Sequence, residues 1–238
     1  VDVTKNYFNS LFVFEDCENG RFRNKQPEVM KMIVRSYARH ISTEAAVSTI
    51  IADLRQNNER TMDVKTYNQY VEALGDLFIL EDMPAWNPNI RSKTSIRSTS
   101  TRHFVDASIA CMALGAGPND LLKDLESFGL FFEDMAVRDL RIYAEVNGGE
   151  VRHYRDNAGL ECDAVVHLEN GCWGAVEIKL GGDELIEAGA SSLKLLKSKI
   201  ENKSDEKSPS FLMVLTAVGG AYRRDDGVYV VPINLLKP

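Results

Sequence analysis

GLECDAVVHLENGCWGAVEIKL, residues 159–180, reads as two strand-like runs around an Asn170-Gly171 turn. Residues two apart on a strand share a face, so Ala175, Glu177 and Lys179 point one way and Val176, Ile178 and Leu180 the other. On the first run Asp163, Val165 and His167 lie opposite Cys162, Ala164 and Val166. A two-residue turn would set Asp163 against Ile178 and mix a charged face with an apolar one. A three-residue loop, Glu169-Asn170-Gly171 with Gly171 left-handed, pairs Val165 with Ala175 and Asp163 with Glu177 instead. Every charge then shares one face. Two carboxylates opposed across a ladder lie about 5 Å apart at their Cβ atoms and repel unless a cation or a proton stands between them. This arrangement predicts a metal, Mg²⁺ or Mn²⁺, which takes a few carboxylates and keeps waters beside a phosphate. Lys179 is expected to orient the attacking water or to stabilise charge on that phosphate.

The run FGLFFEDMAVRDLRIYAEV, 128–146, has helical spacing. Leu130, Ala136, Val137, Leu140 and Ala144 make its core face, and Glu133 falls on that face, whereas Asp134, Arg138, Arg141 and Glu145 fall on the polar side. A carboxylate on a buried stripe is costly when unpaired, so Glu133 is expected to find a partner at the sheet or to join the metal.

The rest of the chain bounds the function. It has 238 residues, 44% of them hydrophobic, enough for one large domain or two small ones. A formal charge of −7 argues against binding nucleic acid by overall charge and leaves only local basic strips for phosphate contact. Cys17, Cys111, Cys162 and Cys172 form no C-x-x-C pair, which fits reduced thiols in a cytoplasmic protein better than a zinc site or a disulfide framework. The longest apolar stretch, FLMVLTAV at 211–218, is too short to span a bilayer, so no membrane partner is expected. The chain opens on Val1 without a clear helical or strand period, and residues 1–24 read as a linker from an upstream segment.

From Pro27 the pattern PEVMKMIVRSYARHI is helical, with proline at a first-turn position. Ser42 is expected to cap a second helix, TEAAVSTIIADL, and Asp63 a third, VKTYNQYVEALGDL, with Val64, Tyr67, Val71, Leu74 and Phe78 as its buried stripe. The extended run LFILEDMPAW and the polar RSKTSIRSTSTRHF follow. This order predicts a winged helix-turn-helix over 25–103 with a basic wing. Arg91, Lys93, Arg97 and Arg102 are the candidate nucleic-acid contacts, against a simpler reading as a solvated loop. The third helix sets Glu72 and Asp76 beside Lys65, Asn68 and Gln69, a poor surface for a major groove, so a packing module is the better reading of that helix. Beyond 104 the order helix, three strands, helix, two strands predicts a mixed α/β domain over 104–238. The histidines show no metal-binding spacing and no G-x-S-x-G elbow occurs.

A helix with Glu, a strand with Asp and a next strand with E-x-K resembles the PD-(D/E)xK nuclease superfamily, a restriction-endonuclease-like α/β fold around a central mixed sheet. Together with RSYARHI, MPAWNPNIRS, RHFVDASIA, LESFGLFFEDMAVRDLRIYA, HYRDNAGLECDAVV and WGAVEIKLGG, the chain resembles the C-terminal half of a family of prokaryotic AAA-type ATPases. The resemblance runs from about Pro27 to Ile200. It implies a nuclease-like site at Glu133, Asp163, Glu177 and Lys179, a Mg²⁺ or Mn²⁺ ion held by Asp163, Glu177 and Glu133, and DNA as substrate. ATP enters only through an upstream P-loop ATPase domain, because no G-x-x-x-x-G-K-[ST] occurs in these residues. Two features depart from the pattern: Cys162 stands where the eponymous motif has proline, and the following helix lacks Gln-x-x-x-Tyr. Two functions therefore stand side by side, a metal-dependent phosphodiesterase and a non-catalytic regulatory module with an ion-pair cluster at the same place.

Overall fold

The computed structural model describes residues 2–10, 12, 25–88, 99–203 and 208–237. They divide into two compact units, the first taking Val1–Asp82 and Thr101–Asp134, the second Met83–Ser100 and Met135–Pro238. The single boundary expected at 103/104 is thus displaced. Phe104, Ile109, Ala110 and Phe131 belong to the core of the first unit with Ile33, Tyr37, Ile50 and Leu74.

The first unit is helical: α1 (Asp2–Ser10), α2 (Pro27–Ala38), α3 (Val47–Asn58), α4 (Val64–Asp76), α5 (Ala107–Leu114), α6 (Pro118–Lys123) and the opening turns of α7 (Leu125–Val146). The stretch read as a linker therefore holds a helix, and Phe12 beyond it is buried. Pro27 opens α2, Asp63 caps α4 by accepting from Thr66 N at 2.9 Å, and Asp106 caps α5 through Ser108 N. Ser42 caps nothing. It sits at φ +54° and its hydroxyl donates to the Leu130 carbonyl, while α3 starts five residues later, at Val47, after Ala46.

The stripe on α4 is shorter than its spacing suggested. Tyr67 and Leu74 are buried, but Val64 is 53% and Phe78 77% exposed. The helix ends at Asp76, Phe78 turns left-handed at φ +54°, and the buried place passes to Ile79. Among the described residues the first unit has no strand, only the antiparallel bridge Leu80–Phe104. The wing residues Arg91, Lys93 and Arg97 lie outside the described residues.

The second unit is a mixed six-stranded sheet ordered β1-β2-β3-β4-β6-β5, so the chain is mixed α/β as expected. β1 (Gly149–Arg155), β2 (Glu161–Leu168) and β3 (Trp173–Lys179) form an antiparallel meander. Helix α8 (Asp183–Lys203) then carries the chain over one face to β4 (Phe211–Thr216), parallel to β3. β6 (Tyr229–Pro232) lies parallel to β4 and antiparallel to the short β5 (Tyr222–Arg223).

Ile186, Ala190, Leu193, Leu196 and Ile200 recur every three or four residues, which turns one stripe of α8 onto Val165, Ala175, Val214 and Val230. Gly189 lets that helix come close: a Cβ there would stand 3.3 Å from the Glu177 Cβ. Residues 84–86 cover the β1 edge, with Trp86 N donating to the His153 carbonyl and His153 N to that of Pro84. The Trp86 ring lies 4.7 Å from Trp173. No described helix is long and apolar enough to cross a membrane.

Candidate functional site: a lysine between two carboxylates

The β2–β3 hairpin has the three-residue loop. Leu168 N donates to the Cys172 carbonyl at 2.8 Å, Gly171 N to Leu168 O at 2.9 Å, and Gly171 stands at φ +78°. The register pairs Val165 with Ala175 and Ala164 with Val176. One step on, Asp163 faces Glu177. There the carboxylate takes over from the backbone ladder, and Ile178 N donates to Asp163 Oδ2 at 2.7 Å.

The cation between the two carboxylates is Lys179. Its Nζ lies 2.9 Å from Asp163 Oδ2 and 2.8 Å from Glu177 Oε2. From the covering helix Ser192 Oγ donates to Glu177 Oε1, with the Glu161 carbonyl also at 3.1 Å. The site opens towards Lys179: that side chain is 25% exposed and Asp163 18%, but Glu177 only 6%.

Burial, reinforced by the Asp163 charge, raises the Glu177 carboxyl to about 7, against the pull of Lys179 and the Ser192 bond. Burial also weighs most on Lys179, where it acts downward, yet the attraction of both carboxylates outweighs it and holds the ammonium above its ordinary value. Beneath them the Cys162 thiol is raised first by burial and then by Glu177 and Asp163, so it stays protonated and inert.

Glu133 does not take the buried place assigned to it. It is half-buried on α7 in the first unit, whereas Asp134, assigned to the polar side, has a side chain 0% exposed. One residue is 100° of helix, and the apolar spacing alone did not resolve that rotation. Asp134 Oδ1 accepts from Phe104 N at 2.9 Å and lies 2.9 Å from His103 Nδ1, whose Nε2 reaches Thr101 Oγ1.

Arg102 is likewise drawn inside the first unit. It bonds the Ala45 carbonyl, pairs with Asp82 and lies 5.7 Å from the Tyr37 ring, with its side chain 11% exposed. The structure thus brings Asp163, Glu177 and Lys179 together, adds Ser192, and gives Arg102 a structural partner. The signal for Ser192 was the small-residue run AGASS at 188–192, which marks where α8 approaches the sheet.

Two carboxylates suit a hard divalent ion that keeps most of its waters, so Asp163 and Glu177 fit as two ligands. Among the described residues no group of three or more His, Cys, Asp or Glu side chains is placed to hold one.

Residues 18–120 match the family model of a domain of unknown function, DUF8612, and residues 128–236 that of a second, DUF4143. The two models meet near the start of α7, close to the division of the structure and later than the boundary expected from sequence. No curated protein and no solved structure matches the chain.

Proposed function

We propose that this chain is the C-terminal region of a prokaryotic AAA-type ATPase, with a winged-helix-like first unit. Its second unit would have a PD-(D/E)xK-type fold and a Mg²⁺- or Mn²⁺-dependent phosphodiester-cleaving site acting on DNA. One observation carries the reading: Asp163, Glu177 and Lys179, on two strands of one hairpin, converge within 3 Å of the lysine Nζ. The DUF4143 model is common in proteins associated with AAA ATPases, which supports the upstream partner.

When bound by Asp163 and Glu177, the ion would polarise a phosphate oxygen and acidify a water. The protein supplies the rest. Ser192 fixes the rotamer of Glu177, and the Ile178 amide fixes that of Asp163. Lys179, the most exposed of the three, carries the positive charge that a phosphate would meet first.

A second reading rests on the same contacts. Lys179 neutralises both carboxylates by itself, as in an ion-pair cluster that holds the hairpin of a non-catalytic regulatory module.

Calorimetry with Mn²⁺ and cleavage of plasmid, single-stranded and branched DNA separate the two. The catalytic reading expects Asp163→Asn and Glu177→Gln to lose both metal and cleavage, and Lys179→Ala to keep the metal and lose most of kcat. If the wild-type chain takes up no divalent ion and Lys179→Ala only lowers stability, by about 3–5 kcal/mol, the cluster is structural.

A further inference from the structure

The face of the sheet away from α8 carries a cavity of about 380 Å³, within the range of small-molecule sites. Its roof is the second half of α7, through Leu140 and Ala144, and its floor is Val166, Phe211, Met213 and Val231 from three strands. Strand alternation explains why these are free for it, since Val165, Val214 and Val230 point to the α8 side. Gly174 keeps the floor low: a Cβ there would come within 2.3 Å of the Phe211 ring, which lies flat on the strand because no side chain lifts it.

Lys237 and Ser210 also line the cavity, as do Tyr143 and Asn147 at the end of α7, and Tyr229, a further lining residue, has the Arg223 guanidinium 5.5 Å from its ring centroid. A largely apolar lining with a single cation, Lys237, matches an amphipathic anion, and a neutral or cationic guest would leave that charge unused.

We propose that this cavity binds a small molecule with an apolar body and one carboxylate-like head, the body under α7 and the head at Lys237. The proposal does not depend on the Asp163–Glu177 site, which lies on the other face.

The test is titration of the folded chain with 8-anilinonaphthalene-1-sulfonate, followed by competition with decanoate and with decanol. We expect saturable, blue-shifted fluorescence that decanoate displaces at least tenfold better than decanol. Val231→Trp, which fills the cavity from a half-buried wall, should abolish it with the melting temperature unchanged. Lys237→Glu should weaken the anionic probe and decanoate about tenfold and leave decanol unaltered. Should Val231→Trp fail to fold, perturbation of the Met213 methyl resonance by decanoate in the wild-type chain replaces that arm. Non-saturable binding, indifference to Lys237→Glu, or an unshifted Met213 signal overturns the proposal. So does concentration-dependent self-association that Val231→Trp abolishes, since a second copy would then be the occupant.

Discussion

Glu177 shows how one residue couples stability to protonation. Its carboxyl is raised from 4.5 to about 7, so between those pH values the folded chain holds a proton that the unfolded chain has released. Stability therefore falls as pH rises from 4.5 to 7, by on the order of 1–3 kcal/mol, and is level with respect to this group above that window. Glu177→Gln should remove that slope, as read by urea denaturation at pH 5 and pH 8. A slope that persists in the variant assigns it to other groups. Asp134 makes the complementary case. Its buried Oδ1 serves both Phe104 N and His103, so Asp134→Ala leaves an amide and an imidazole without their partner and should cost about 3–5 kcal/mol. If that substitution is neutral, the network is not holding the fold. The spacing of apolar residues announced a buried acid on α7 but named its neighbour, because a stripe wider than 100° admits both positions.

At the scale of elements, turn chemistry proved the most legible part. Asn170-Gly171 and the two-residue alternation were enough to set the hairpin register, since any other register exposes apolar groups and buries charged ones. Gly171→Ala, with φ at +78°, should cost about 1–2 kcal/mol and leave the strand pairing intact, as seen in the denaturation midpoint and in amide exchange of β2 and β3. The end of α4 was less legible. Phe78 continues the helical period, yet the chain leaves the helix at Asp76 and exposes the ring. Phe78→Asn, which tolerates a left-handed backbone, should therefore be neutral or raise the melting temperature. A buried stripe position would instead lose about 3–5 kcal/mol. The sign of the measured change decides between the two.

For the whole molecule, charge sets what DNA binding can look like. With a net −7, contact must come from a local strip, and Arg102 is committed to Asp82 and the Ala45 carbonyl instead. Arg102→Met should lower the stability of the first unit by about 3–5 kcal/mol while leaving the salt dependence of any DNA affinity unchanged. A weaker salt slope in that variant would return Arg102 to the interface. The sequence by itself determined the mixed α/β class, the helix cap at Asp63, the hairpin and the face shared by Asp163, Glu177 and Lys179. All of these follow from steric and periodic rules that act over a few residues. Only the tertiary structure decided that residues 83–88 belong with the sheet, that Asp134 rather than Glu133 is buried, and that Ser192 reaches Glu177 from a helix 15 residues further on. Those outcomes depend on which surface each element meets across the core, and burial against a distant partner leaves no local period to read.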